Sequence, residues 1–177
     1  MSSRSTHNTQ PSTLNIEVNL MIIVSACLAG VNCRHDGKNK EDVLIQKLIS
    51  KRLAVPLCPE VLGGRPVPRV PCEISGGTAE QVLAGTATVR DKNGRDVTHE
   101  VLDGVKIFMK AVARMNVTAV ILKTKSPSCG KGKIYDGTFT GKMTDGNGVL
   151  TAVLLKEGIK VYTEEDCGIF AKELLGE

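Results

Sequence analysis

The residues best suited to chemistry in this chain are its six cysteines, which stand among 177 residues that include no tryptophan. In a reducing compartment, six thiols rarely form a disulfide framework, so metal binding or reactive thiol chemistry is the leading interpretation. The alternative is that the thiols are small buried hydrophobes that serve only packing. The positions of the cysteines relative to strands and helices decide between the two.

Four apolar runs have the character of buried parallel strands, and segments with helical periodicity separate them. The predicted strands are Met21–Ala26, Leu53–Leu57, Val117–Leu122 and Ile159–Tyr162. The predicted helices are Glu41–Arg52, a helix capped by Asp96 that runs through Val112, Gly148–Lys156 and Cys167–Leu175. This alternation predicts an α/β fold, a single domain with an open, mostly parallel, Rossmann-like sheet and helices on both faces.

Composition and turn-forming residues predict the structure of the remaining segments. Residues 1–20 are rich in Ser, Thr and Asn and lack periodicity, so we expect a flexible N-terminal extension, with 21–177 as the single α/β domain. Gly63–Gly77 is predicted to be a long loop rich in Pro and Gly. Thr86–Thr98 is predicted to be a hairpin that turns at Asn93-Gly94.

Three cysteines follow three successive predicted strands. Cys27 comes directly after the first strand, Cys58 after the second, and Cys129 ends the loop after the third. Because the carboxyl ends of parallel strands meet at one sheet edge, where such folds bind ligands, we expect these thiols to share one crevice. The other cysteines are attributed to packing, with Cys33 and Cys72 left open as further members of the site.

The spacing of the three thiols disfavours the common structural metal sites. A structural zinc site usually has paired C-x₂₋₄-C ligands, and the chain has no such pair. The cysteine runs typical of ferredoxins are also missing. Three dispersed thiolates fit a four-iron cluster in which one iron lacks a protein ligand and is a Lewis acid open to substrate.

Polar residues lie close to these cysteines in the sequence. Glu60 follows Cys58 by two positions, and a carboxyl group beside the crevice can donate or accept a proton. Arg65 and Arg69, in the proline-rich loop, are suited to clamp an anionic or carbonyl-bearing ligand. The alternative for all three is an exposed, solvated charge.

Composition excludes several classes of function. The net charge of +4 is mild, and aromatic residues make up only 3% of the chain, which disfavours a protein that stacks nucleobases on aromatic platforms. No apolar run approaches the ~18 residues of a membrane span. We therefore expect a soluble, cytoplasmic protein with no membrane association and no stable nucleic-acid partner.

Five short motifs resemble those of the thiouracil desulfidase family, and the likeness extends from Met21 to Phe170. The motifs are Ser25-Ala26-Cys27-Leu28, Arg34-His35-Asp36-Gly37, Cys58-Pro59-Glu60, Pro66-Val67-Pro68-Arg69 and Ser126-Pro127-Ser128-Cys129-Gly130. His35 stands where the family usually has Tyr, and Val67 where it usually has Thr. Both positions lie in loops that are expected to contact substrate.

The resemblance implies a cofactor, a reaction and a set of site residues. It implies a [4Fe-4S] cluster held by three cysteines only, which correspond to Cys27, Cys58 and Cys129. It also implies the conversion of thiouracil and water to uracil and hydrogen sulfide. The assisting residues that it indicates are Glu60 and Ser126, with Ser128 as a further candidate. Beside this resemblance, we expect Arg34, Arg65 and Arg69 to bind the substrate.

The resulting hypothesis is Lewis-acid hydrolysis of a C–S bond. The substrate sulfur binds the open iron, water attacks the ring carbon, Glu60 moves a proton, and Ser126 hydrogen-bonds the substrate. The chain then depends on the iron–sulfur assembly machinery, and we expect the cluster to be oxygen-sensitive. Two alternatives are a cluster-dependent sulfur transferase that acts on a thiolated base or tRNA, and a non-enzymatic iron–sulfur or zinc sensor.

Overall fold

The computed structural model describes residues 21–117 and 119–177, and the expected extension over 1–20 lies outside them. Strands and helices alternate along most of the chain. In sequence order they are β1 (Ile22–Ser25), α1 (Val43–Ser50), β2 (Ala54–Leu57), α2 (Pro59–Leu62), β3 (Cys72–Ser75), α3 (Ala79–Leu83), β4 (Thr88–Asp91), α4 (Thr98–Arg114), β5 (Ala119–Leu122), β6 (Lys133–Tyr135), β7 (Met143–Asp145), α5 (Val149–Lys156), β8 (Lys160–Thr163) and α6 (Gly168–Leu175).

The central element is a four-stranded sheet in the order β2-β1-β5-β8, with every neighbouring pair parallel. The chain moves from β1 to β2 on one side and later returns to place β5 on the other side of β1. The boundary between β1 and β5 is therefore the topological switch point, beyond which ligands bind in open α/β sheets. The predicted fold class, a single α/β domain with a Rossmann-like parallel sheet, is confirmed.

Both faces of the sheet are covered by helices, as the sequence predicts. Along β1, Ile22 and Val24 belong to the apolar layer shared with α1 and α6, whereas Ile23 belongs to the layer shared with α4 and α5. In β5, Ala119 and Ile121 face the first layer in the same alternating way. A strand buried on both faces is apolar at every position, which is why these runs are continuous in the sequence.

A small antiparallel unit, formed by β3 and β4, corrects the predicted loop. The segment expected to be a loop over Gly63–Gly77 contains β3, which pairs with β4. The expected hairpin turn at Asn93-Gly94 exists, with the Gly94 N–H donating to the Asp91 carbonyl (2.8 Å), and Arg90 and Asp96 form an isolated antiparallel bridge across it. The regular ladder partner of β4, however, is β3. The pairing of β3 with β4 joins segments that are distant in the sequence, so the local residue pattern does not predict it.

Four further elements are absent from the sequence-based prediction. They are the short helices α2 and α3 and the hairpin of β6 and β7. Within the described residues, none of the helices combines the length and the apolar character that a membrane span requires.

A glycine allows α2, the short helix that follows Cys58 and contains Glu60, to approach α4. At Gly104 of α4, a Cβ atom would lie 1.9 Å from the Pro59 carbonyl oxygen of α2. A glycine in a helix interior lowers helix stability relative to alanine, so this residue is explained by the close contact. The contact sets the position of Pro59 and, with it, of Cys58 and Glu60 beside it.

We predict that Gly104→Ala destabilises the protein by about 2 kcal/mol, because the added methyl group overlaps the backbone of α2. A change to alanine at an exposed site on the same helix, Lys110→Ala, is the matched control and is expected to shift stability by about 0.5 kcal/mol or less. Urea unfolding of both variants measures the difference. A Gly104→Ala variant at least as stable as the parent contradicts this account of α2.

Candidate active site

A cavity of about 520 Å³ opens at the carboxyl edge of the sheet. Cys27, Cys58 and Cys129 all line it, as the order of strands predicts. Cys33 and Cys72 line it as well, so that five of the six cysteines share one cavity. Packing alone does not explain such a concentration of thiols around an open space.

The register of the strands brings the first two cysteines together. Ser25 is paired with Leu57 at the ends of β1 and β2, and the Ala26 N–H donates to the Leu57 carbonyl (2.9 Å). Cys27 and Cys58 follow within two residues of this pair. On the other side of β1, the Ser25 hydroxyl accepts a hydrogen bond from the Lys123 N–H (2.9 Å), which joins the ends of β1 and β5.

The third cysteine is placed by a tight turn that Ser126 holds. The Ser126 hydroxyl oxygen accepts hydrogen bonds from the backbone N–H groups of Ser128 and Cys129, both at 3.1 Å. The start of α5 fixes the turn from behind, because the Leu150 N–H donates to the Ser128 carbonyl (2.9 Å) and the Thr151 hydroxyl donates to the Cys129 carbonyl (2.8 Å). Ser126 also lines the cavity, so the residue that shapes the turn forms part of the cavity wall.

The thiols differ in how readily they ionise. A hydrogen bond from Cys33 lowers the pKa of Cys58 to about 7, helped by the Val61 N–H and by Arg69. The Cys33 thiol also lowers the pKa of Cys27, while Cys33, as the shared donor, has its own pKa raised. Two of the expected ligands therefore lose the thiol proton more readily than an ordinary cysteine, and the thiolate is the form that metals bind.

Two other buried thiols of the lining, Cys129 and Cys72, favour the neutral form. Burial, reinforced by the charges of Cys58 and Cys27, raises the pKa of Cys129. Burial and the Glu60 carboxylate raise the pKa of Cys72 to about 12. A cationic metal in the cavity would oppose this effect at any thiol that coordinates it, because a coordinating thiol is deprotonated by the charge of the metal.

The donor set fits a cluster better than a single metal ion. Among the described residues, no three His, Cys, Asp or Glu side chains converge closely enough to hold one ion. The cysteine ligands of a cubane bind separate iron atoms, so they surround a space instead of meeting at a point. Thiols spread around one cavity match that requirement, and the assignment of Cys27, Cys58 and Cys129 as the ligands remains a prediction.

The carboxyl group of Glu60 is held by an arginine at the cavity wall. The Arg69 Nε donates to Glu60 Oε2 (2.8 Å), and the Arg69 Nη1 donates to the carbonyl oxygen of Cys33 (3.0 Å). Both side chains are largely buried, with 5% of Arg69 and 14% of Glu60 exposed. The alternative interpretation, that these are solvated surface charges, does not apply to them.

The sequence-predicted residues divide into two groups. Glu60, Ser126, Arg34 and Arg69 line the cavity with the three cysteines. Arg65 and Ser128 are buried and contact Glu60 from outside the lining. Arg65 Nε lies 3.8 Å from Glu60 Oε2, and the Ser128 Oγ lies 3.5 Å from Glu60 Oε1. The structure thus places Arg65 beside the acid and not in contact with the space that a substrate would occupy.

The two residues that differ from the family motifs, His35 and Val67, lie in different environments. His35 lines the cavity, whereas Val67 does not and is 40% exposed. Substitution at position 35 therefore changes the surface that faces a ligand.

Sequence reasoning missed part of the lining. Four lysines and the hairpin of β6 and β7 contribute to the cavity in addition to the predicted residues. The lysines are Lys40, Lys92, Lys123 and Lys125, and the residues of the hairpin are Tyr135, Phe139 and Gly141. The low aromatic content predicts against base stacking, yet two of the five aromatic residues line this cavity. Average composition does not reveal where a few rings are placed.

Comparison with known proteins gives three concordant findings. The sequence profile of the family described as 2-thiouracil desulfurase matches residues 22–166. The uncharacterized protein YbbK of Bacillus subtilis strain 168 is 46% identical over 146 residues, which cover 82% of this chain and 97% of YbbK. The solved structure of the [4Fe-4S]-dependent thiouracil desulfidase TudS matches with a TM-score of 0.77 and 36% identity, covering 89% of this chain and 99% of TudS.

We predict that Arg69→Met destabilises the protein by about 3 kcal/mol, because it removes the guanidinium that hydrogen-bonds the partly buried Glu60 carboxylate and leaves only the longer contact with Arg65 at 3.8 Å. The control, Arg34→Met, removes a guanidinium that is more exposed and pairs with Asp36, and it is expected to cost less than about 1 kcal/mol. The double variant Arg69→Met/Glu60→Gln should lose less stability than the sum of its single changes. Urea unfolding is the measurement, and equal losses for the two arginines would contradict the ion-pair assignment.

Proposed function

We propose that this chain, which belongs to the 2-thiouracil desulfurase family, is an enzyme that removes sulfur from thiolated pyrimidines with the help of a [4Fe-4S] cluster. The proposed reaction converts thiouracil and water to uracil and hydrogen sulfide. The observation that carries the proposal is one cavity in which Cys27, Cys58 and Cys129 stand beside a clamped carboxyl group, that of Glu60. A cavity of this volume is within the range that holds small organic ligands.

The cluster is assigned to the cysteines at the ends of the first three central strands. Cys27, Cys58 and Cys129 would hold it, which leaves one iron without a protein ligand. When bound, such a cluster supplies a Lewis acid with affinity for the soft sulfur of a thiocarbonyl group. The burial of the Cys129 side chain and the hydrogen bonds around the turn at Ser126 keep this part of the site rigid.

Glu60 is the proposed proton-transfer residue. Its Oε2 is engaged by Arg69, and its carboxylate faces the cavity, where it can take a proton from the attacking water and pass it to the leaving sulfur or to a ring nitrogen. Arg69 acts as a positioning residue that fixes the direction of the carboxylate. Ser126 donates its hydroxyl hydrogen to the substrate, since its oxygen already accepts two backbone hydrogen bonds.

The polar lining favours an enzyme over an inert sensor. Glu60, Arg34 and Ser126 all face the same space as the thiols, and a sensor needs no such groups there. We also propose that the protein acts in the cytoplasm, receives its cluster from the iron–sulfur assembly machinery and is oxygen-sensitive. The six free cysteines support a reducing compartment.

Replacing any one of Cys27, Cys58 or Cys129 by Ala is expected to remove both bound iron and turnover. Protein loaded and purified without oxygen should contain about four iron and four sulfide ions per chain. Cys167→Ala, a buried cysteine outside the cavity lining, is the matched control and should retain both.

Product analysis of the same samples separates the candidate reactions. Free sulfide and uracil in equal amounts support hydrolytic desulfidation, whereas sulfur on an acceptor molecule supports the transferase. Iron retained at the parent level in all three cysteine variants would contradict the ligand assignment.

We expect Glu60→Gln to keep its iron and to lower kcat by about 10²–10⁴-fold, the usual contribution of general acid–base catalysis. The substituted amide preserves the shape of the side chain but does not accept the proton. Glu80→Gln, at an exposed position in the first turn of α3, is the control and should have the parent rate. A Glu60→Gln variant with full activity removes Glu60 from the mechanism.

A further inference from the structure

Two aromatic side chains line the cavity, and they belong neither to the buried core nor to the stacked aromatic pair. The chain has five aromatic residues. Phe108 is fully buried in the core, and Tyr162 stacks on Phe170 with ring centroids 4.3 Å apart. The other two, Tyr135 and Phe139, both line the cavity from the β6–β7 hairpin.

Phe139 is held in a backbone conformation that is costly for its residue type. Its φ angle is +57°, in the left-handed region that bulky side chains rarely adopt. Such strain persists only where the surrounding structure enforces it, and it is concentrated at functional sites. A glycine at this position would relieve the strain but would present no side chain to the cavity.

A buried carboxylate of a neighbouring strand enforces this conformation. Glu73 of β3 is only 7% exposed, and its Oε2 accepts a hydrogen bond from the Phe139 N–H (3.1 Å). The hairpin approaches β3 closely at Gly137, where a Cβ atom would lie 2.4 Å from the Ile74 carbonyl oxygen. The tip of the hairpin is therefore anchored to β3 at two points, on either side of residue 138.

We propose that Phe139 is a specificity-determining residue that stacks on the planar ring of the substrate, and that Glu73 is the residue that positions it. The inference rests on the proposed function, since it concerns how that site selects a thiolated pyrimidine. Stacking on an aromatic side chain selects flat, conjugated rings and tolerates different ring substituents. The cluster held by the cysteines, together with Glu60, would act on the reacting atoms, while Phe139 recognises the plane of the ring.

Calorimetric titration of the cluster-loaded protein with uracil and with 5,6-dihydrouracil tests the stacking directly. The second ring has the same carbonyl groups but is not planar. Phe139→Ala should raise the Kd for uracil by about fivefold to a hundredfold. The Kd for dihydrouracil should change by less than about twofold, because a puckered ring forms little stacking contact. Phe139→Tyr restores a ring and should restore the preference for uracil.

Two variants of Glu73 test whether this residue positions Phe139. Glu73→Gln keeps a carbonyl oxygen that can accept from the Phe139 N–H and should keep the preference for uracil, whereas Glu73→Ala should lose it. Thr140→Ala, at an exposed position of the same hairpin tip, is the control and should behave as the parent. Iron content and thermal unfolding of every variant show whether the site and the fold remain intact.

Failure of this inference is distinguishable from failure of the proposed function. Thiouracil turnover by the parent, together with an unchanged preference for uracil in Phe139→Ala, overturns the role of Phe139 and leaves the function standing. Equal weakening of uracil and dihydrouracil also overturns it, since it indicates a structural role only. A parent protein that neither turns over thiouracil nor binds uracil overturns both.

Discussion

The site depends on the parallel alignment of β1, β2 and β5, whose carboxyl ends finish side by side at the switch point of the sheet. Cys27, Cys58 and the turn that ends at Cys129 are distant in the sequence, and this alignment brings them to one cavity. The hydrogen bond between the Ser25 hydroxyl and the Lys123 N–H ties two of the strand ends together at the level of the site. Because both faces of the sheet are buried, the strands are fixed in register. The cysteines that follow these strands are therefore held in fixed positions.

Several charged or ionisable side chains lie close together at the cavity. Ionisable thiols, the Glu60 carboxylate and the Arg69 guanidinium lie within one partly buried space, an arrangement that would cost stability unless the charges compensate each other. Arg69 compensates Glu60, and the Cys33 thiol lowers the pKa values of Cys27 and Cys58. The close approach of α4 to α2 at Gly104 adds a steric constraint on the same wall. The proposed catalytic groups and the structural contacts are therefore not separable in this part of the protein.

Much of this arrangement was predictable from the sequence, because it follows from local patterns. Continuous apolar runs predict the buried strands, helical periodicity predicts α1, α4 and α5, and the position of Cys27 after its strand predicts its place at the sheet edge. The pairing of β3 with β4 and the hairpin that carries Phe139 were not predictable in this way. They depend on contacts between distant segments, such as the hydrogen bond from the Phe139 N–H to Glu73. The ion pair of Arg69 with Glu60 was missed for the same reason, although both residues were identified as candidates.

The central claim is that three sulfur atoms hold a cubane whose fourth iron faces the open cavity. Iron anomalous diffraction from crystals of the cluster-loaded protein, grown without oxygen, tests it most directly. We predict four iron sites in the cavity, three of them bonded to the Sγ atoms of Cys27, Cys58 and Cys129 and one without a protein ligand. A side chain on the fourth iron, such as the Cys33 thiol, or iron sites away from these three sulfur atoms, would contradict the account.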